Sequence, residues 1–402
     1  MLRKRSHWGR VLLTALLMAV IGGGAAWGRA GPAWQSVRRG VLAANASSSM
    51  LVDTDGSVWW WGARSFAPNP VPTQMENLQD VVAVANGIHH FLALREDGTV
   101  WAWGLNHDGE LGDGTDVERS TPVQVSGLTD VVAIAAGDSH SLALRADGTV
   151  WAWGLNMEGQ LGVGARPFSS VPVQVQGLTG VVAVAAGDVH SLALREDGTV
   201  WAWGNNSFGQ LGDGTTLGRF TPAQVRGLSE VTFLGPGRVH NLVARADGTV
   251  WAWGANYAGQ LGNGTKANQL LPVQVPGLSD VVAVAAGDSH SLALTRDRTV
   301  WAWGSNFLGM IGDGTTTGRP SPVQVPELEG VVAITSGDWH SLALRKDGTV
   351  WGWGQNAFGA VGDGTVTNKQ LTPARALLPC RLEGMPSREH RAGKPQGCPA
   401  TP

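Results

Sequence analysis

Apolar and polar positions along the chain fall into a unit that returns every 50 residues. Within one unit, Val131 to Ala136 is apolar at every position and rich in Ala and β-branched residues, the pattern of a strand covered on both faces near a crowded axis. Two further runs, Ser141 to Arg145 and Thr149 to Trp153, flank Asp147-Gly148 and predict a hairpin whose type I′ turn places both central residues at positive φ. Pro122-Val-Gln-Val125 supplies a fourth short strand, with Pro at its start where no ladder donor is lost. The marker Trp-x-Trp-Gly begins at Trp59, Trp101, Trp151, Trp201, Trp251, Trp301 and Trp351, a first spacing of 42 followed by five of 50. Four strands per unit, seven units and no helical period predict an all-β, seven-bladed β-propeller. The paired Trp at i and i+2 share one face of a strand, where each can bury on the order of 200 Å² against the adjoining blade.

Composition refines this reading. With 43% hydrophobic and 15% charged residues, the chain can bury a large core, and its 57 Gly and 20 Pro recur in phase instead of forming a low-complexity tract. The net charge of −3 conceals an acidic body: residues 1–30 carry five basic side chains and no acidic one, so the remainder stands at 24 − 32 = −8. An acidic body argues against nucleic acid as a partner, because phosphate contacts need a basic face. Residues 1–30 have the anatomy of a signal peptide: Arg3, Lys4 and Arg5, an apolar run Val11 to Ile21, then small residues around Ala25 and Ala26. The run is shorter than a spanning helix needs. Export with cleavage is therefore expected, and with it an extracytoplasmic location (secreted, periplasmic or cell-surface) without stable membrane insertion.

The phased motifs Gly187-Asp-Val-His190, Trp203-Gly-Asn-Asn206 and Gly209-Gln-Leu-Gly212 resemble the regulator-of-chromosome-condensation repeat family, in its secreted bacterial form. The resemblance covers residues 37–378 and implies the seven-bladed propeller and a binding role. Residues 379–402 form a Cys- and Pro-containing tail in which Cys380 and Cys398, in an exported chain, are expected to pair. Three departures stand out. The first copy has Asn45 and Ser48 in place of Gly and His and lacks the Gly-Gln-Leu-Gly-Asp-Gly-Thr loop. In a closed ring it should abut Thr372 to Leu378. The sixth copy has Asp297-Arg298 for Asp-Gly, and since a non-Gly residue at positive φ is strained by about 1 kcal/mol, a different turn is expected there.

Nothing in the pattern looks like catalysis, cofactor binding or a metal centre. Six His share one phase (His90, His140, His190, His240, His290, His340), but equivalent atoms of different blades are displaced around the axis, whereas a metal needs converging ligands. They read as structural. Asp138, Asp188, Asp288 and Asp338 share another phase, interrupted by Ile88 and Arg238, and read as solvated turn residues. The Asp113-Gly-Thr motif and its copies at Asp213, Asp313 and Asp363 read as Asx-turns. Every polar candidate is a repeat residue, so no nucleophile, base and stabiliser stand out together.

The expected function is that of a non-enzymatic scaffold, monomeric, which recognises a protein or a surface polymer through one loop face. Secreted bacterial propellers with these repeats, one of them similar to an inhibitor of β-lactamases, supply the analogy. The alternative is an exchange-factor-like regulator of a small GTPase, which the family resemblance implies but the unbroken 50-residue spacing leaves without the wedge-like insertion that activity uses. The binding face is expected where the repeat varies: Phe208, Tyr257, Phe307 and Phe358 in successive copies, flanked by Arg219, Phe220, Lys266 and Arg319. The competing reading has each ring plugging its own long loop onto the blade.

Overall fold

The computed structural model describes residues 41–64 and 67–379, so the signal-like segment and both Cys lie outside the described residues. The described residues form seven four-stranded antiparallel sheets, each built from four consecutive strands. We number the blades one to seven, with inner strands starting at Val41, Val81, Val131, Val181, Val231, Val281 and Val331. In blade 3 the strands are Val131–Ala136, His140–Arg145, Val150–Leu155 and Phe168–Gln174 from axis to rim. A meander of this kind puts the first and third connections at one end of the ring and the second and fourth at the other. Backbone bonds tie the first end together, as from the Leu155 amide to the Ser139 carbonyl at 2.8 Å.

The outer strand differs from expectation in one respect. In blade 2 it is Arg119–Gln124, so Pro122 falls inside it, in the stretch where register shifts between Ala102 and Gly104. That bulge on an edge strand is where a missing amide costs no ladder bond.

Blades are joined by one repeated seam. The second motif Trp of a blade is buried, 0–1% exposed in all seven copies, whereas the first is only half-buried. Equal burial of the pair was expected; both indoles pack against the clusters that join two blades, but the second goes deeper because it inserts under the long loop where the preceding blade has one. In six of the seven blades its Nε1 donates to a carbonyl of that loop, as in Trp203 to Gln160 at 2.9 Å and Trp253 to Gln210 at 2.9 Å. The same carbonyl accepts from the motif Ser, as in Ser191 Oγ to Gln160 at 2.8 Å. Because that hydroxyl proton is spent on the carbonyl, the Ser oxygen accepts from His140 Nε2 at 2.9 Å, which fixes the neutral Nε2–H tautomer. Each imidazole thus lies between two blades.

The family's Gly three residues before the His follows from this packing. A Cβ on Gly187 would fall 2.2 Å from His190 Cε1 and 2.5 Å from the Gly237 carbonyl oxygen. The six His are structural, as expected: all are 0–1% exposed, and burial lowers their pKa values to about 3 or 4. No group of three or more His, Cys, Asp or Glu that could hold a metal occurs among the described residues.

Ring closure uses the same seam. Trp61 Nε1 donates to the Ala360 carbonyl at 2.8 Å, Ser49 Oγ donates to that carbonyl at 2.9 Å, and Ser49 Oγ lies 2.9 Å from His340 Nε2. The Gly364 amide donates to the Pro70 carbonyl of blade 1 at 3.0 Å. Leu42, Leu51 and Trp61 share a buried cluster with Ala333, Leu342 and Ala376. The segment expected to abut blade 1 therefore does so through Ala376, while residues 372–375 end the outer strand of blade 7.

The tight turns are one residue longer than the two-residue turn expected. Only the Gly of Asp147-Gly148 has positive φ (80°), with Gly148 N bonded to Arg145 O and Arg145 N to Thr149 O, both at 2.9 Å. This is a three-residue loop closing on a left-handed Gly, not a type I′ turn. The sixth copy keeps the same turn: Arg298 itself adopts φ 71° and its amide bonds to Thr295 O at 2.9 Å. The surrounding strand pairing overrides the local cost of placing Arg there.

Candidate binding face

The end of the ring that carries the first and third connections holds both the Gly-Asp-x-His turns around the axis and the long variable loops. The axial turns are linked from blade to blade by their backbones: Asp138 N to Asp188 O at 2.9 Å, Arg238 N to Gly287 O at 3.1 Å and Asp288 N to Asp338 O at 3.2 Å. They surround a small mouth of about 80 Å³ lined by Asn45, Asn86, Asp188, Arg238 and Asp338.

These aspartates are not the solvated turn residues the sequence suggested. Asp338 is 9% exposed, and Arg238, from the blade whose inner strand departs most from the repeat, reaches across to Asp188 (Nε to Oδ2, 3.0 Å) and Asp288 (3.6 Å). Burial, then the neighbouring Asp338 and Asp138 charges, push Asp188 up to about 8, and the ion pair with Arg238 offsets this only in part. Asp338 rises to about 6 through burial and the Asp288 charge, and burial raises Asp138. The sequence signal was present, a lone Arg at an Asp phase, but which turns converge on the axis is decided by ring closure.

Each long loop is organised by its motif Asn. Asn206 Oδ1 accepts from the Leu211 amide at 2.9 Å, and its Nδ2 donates to the Thr215 and Leu217 carbonyls at 3.0 and 3.1 Å. The Asx-turn reading holds: Thr215 N donates to Asp213 Oδ1 at 2.9 Å. The outer oxygen of that carboxylate binds Arg219, at 2.8 Å from Nε, and Asp313 holds Arg319 at 3.0 Å in the same way. Both arginines thus brace their loops, while their side chains remain 42% and 38% exposed. Lys266 is exposed on the loop of blade 5.

Tyr257, Phe307 and Phe208 are 51%, 56% and 38% exposed, and Phe358 is half-buried. They occupy two phases. Tyr257 and Phe307 directly follow the motif Asn; Phe208 and Phe358 come one position later, where the Phe208 amide is held by Gln210 Oε1 at 2.9 Å. Tyr257 lies within the field of the axial charges, its pKa raised by burial and by Asp288 and lowered by Arg238. Phe220, 40% exposed, belongs to the outer strand of blade 4, where its carbonyl receives Gly164 N of blade 3 at 3.0 Å.

Comparison with known proteins agrees with this architecture. The yeast protein Prp20p, in a structure concerned with its binding to Gsp1p and histones, superposes with a TM-score of 0.72 at 25% identity, over 90% of this chain and 88% of that one. Yeast RCC1 (Prp20) bound to Kap60 gives 0.68 at 27% identity, over 76% of this chain and 78% of that one. Human WBSCR16 gives 0.70 at 29% identity, over 77% and 86%. Among curated sequences, the Arabidopsis thaliana ultraviolet-B receptor UVR8 is 33% identical over 82 residues, 18% of this chain and 19% of that protein. The Homo sapiens ubiquitin ligase HERC2 is 36% identical over 77 residues, 17% of this chain and 2% of that protein. These matched segments span a fifth or less of either curated relative. Residues 64–388, about four-fifths of the sequence, match the RCC1-like domain, and with seven blades built from its repeat the chain belongs to the RCC1-like domain family.

Proposed function

We propose that this protein is a secreted, non-enzymatic scaffold that holds a protein partner, or a surface polymer, against the long-loop face of its ring. The observation that carries the reading is the exposure of Tyr257, Phe307 and Phe208 on loops whose bases are locked by a buried Asn and, for Phe208 and Phe307, by an Asp–Arg pair as well. Rings on a rigid frame lose little entropy on binding, and solvent-exposed aromatics beside Arg are the composition of interface anchors. Yeast RCC1 (Prp20), a similar protein, occurs in complex with another protein, Kap60.

The test replaces Phe208, Tyr257, Phe307 and Phe358 together by Ser and measures partner capture from the extracellular milieu alongside thermal melting. Abolished capture with a nearly unchanged melting temperature supports the reading; a large fall in melting temperature would show instead that the rings are plugs. Export is tested separately, by locating the mature form in medium, periplasm or cytoplasm. The likeness to Prp20p also motivates a second reading, a regulator of a small GTPase. A nucleotide-exchange assay on a purified small GTPase decides it: acceleration by this chain would favour the exchange-factor role over the scaffold.

A further inference from the structure

The opposite end of the ring carries the tight turns and, beneath them, the half-buried first tryptophans of the motif. In four blades a guanidinium from the same blade lies over this ring: Arg95 over Trp101 at 5.8 Å, Arg195 over Trp201 at 5.5 Å, Arg245 over Trp251 at 5.8 Å and Arg345 over Trp351 at 5.6 Å. The Nε of each donates to the carbonyl sixteen residues earlier, for example Arg95 to Gln79 at 3.1 Å and Arg245 to Ser229 at 3.0 Å, and Arg145 does the same to Thr129 at 3.0 Å. Where the next residue is acidic it completes the cradle: Asp80 lies 3.3 Å from Arg95, Asp130 3.4 Å from Arg145 and Glu230 2.9 Å from Arg245. The fold thus displays one guanidinium site in five copies, all made with the carbonyl, four with the indole face and three with a carboxylate.

Blade 6 keeps the cradle and lacks the guanidinium. Thr295 stands at the Arg position, and its short side chain turns to Asp297 and Thr299. Trp301, Ser279 and Asp280 keep their places, lining a groove of about 590 Å³. Arg296 does not substitute for the missing group: its Nε is 3.9 Å from Asp280, beyond hydrogen-bond length, and the two side chains are 64% and 71% exposed. Asp297 adds a second carboxylate to the rim, its pKa lowered by the Thr295 and Thr299 hydroxyls.

We propose that this groove binds an arginine side chain presented by a partner protein. The guanidinium would donate to the Ser279 carbonyl and to Asp280 while its plane covers Trp301, reproducing in trans the arrangement that Arg95 and Arg245 make in cis. Arg is favoured over Lys because only a planar fork serves carbonyl, carboxylate and indole at once. The site is at the end of the ring away from the long loops, so it stands or falls independently of the loop-face reading.

The experiment titrates an acetyl-Gly-Arg-Gly-amide peptide into the full chain and follows the tryptophan indole signals by NMR. The expected result is saturable binding that moves the Trp301 indole, at least about fivefold tighter than the Lys analogue. Thr295→Arg rebuilds the internal occupant and should weaken binding at least tenfold while leaving the melting temperature unchanged or higher. Should that variant fold poorly, Asp280→Asn, at an exposed position, should weaken binding about fivefold. Absence of saturable binding up to about 20 mM peptide, equal affinity for the Lys analogue, or full binding by the variants would overturn the proposal.

Discussion

Lowering the pH should unfold this propeller through its six seam histidines. All six are buried, and their folded pKa values of about 3 to 4 lie below the unfolded value of 6.5. The unfolded chain therefore binds more protons, so the stability they confer is intact above pH 6.5 and is lost as pH falls toward their folded values. At pH 5 an imidazole that titrates at 6.5 when unfolded has gained nearly a full proton, and holding it neutral costs about 2 kcal/mol, or about 12 kcal/mol for six. Asp188 and Asp338 act in the opposite sense: their pKa values are raised in the fold, to about 8 and about 6, so their contribution is full below pH 3.8 and disappears as pH rises through those values. Near pH 5 the two effects leave a net uptake of about four protons on unfolding, a slope of about 5 kcal/mol per pH unit. Equilibrium denaturant melts between pH 5 and 6.5 measure this slope. In His140→Gln, whose amide can still donate to Ser191, the slope should fall by about one proton. A wild-type slope below one proton, or no change in the variant, would show that the imidazoles are not held neutral in the seams.

Other perturbations address closure, glycine packing, turn strain and the axial charge. Trp203→Ala should cost about 3–5 kcal/mol in denaturant melts, and Trp61→Ala should cost a similar amount because the closing seam repeats the same contacts; a silent Trp61→Ala would mean the ring is not closed there. Gly187→Ala should destabilise by more than about 3 kcal/mol, since the new Cβ meets both an imidazole and the next blade's backbone, and a loss below about 1 kcal/mol would contradict the packing. Arg298→Gly should raise stability by about 0.5–1 kcal/mol by relieving the left-handed Arg, which a lower melting temperature would refute. Arg238→Gln should lower the melting temperature more at pH 8 than at pH 5, where Asp188 is more fully protonated, and equal losses at both pH values would exclude the axial cluster as the cause.

Blade number and strand order were legible in the sequence because each rests on a local, repeated pattern. Trp-x-Trp-Gly at a 50-residue period and an apolar run before each Asp-x-His turn state the same unit again and again, and repetition averages out local exceptions. The exceptions were less legible. Arg298 looked incompatible with its turn because a local steric cost is visible in sequence, whereas the strand pairing that overrides it is not. Trp201 and Trp203 looked equivalent because they share a strand face; only the neighbouring blade decides that one indole inserts under a loop carbonyl while the other meets an arginine. The axial mouth depended wholly on the tertiary structure. Asp138, Asp188, Arg238, Asp288 and Asp338 sit about 50 residues apart, and nothing local reveals that closure gathers their turns around one axis, where burial and neighbouring charge raise the pKa values of Asp188 and Asp338. The groove at Trp301 has the same origin: Thr295 is an unremarkable substitution along the chain, and it becomes an empty guanidinium site only beside the carbonyl, carboxylate and indole that the fold assembles around it.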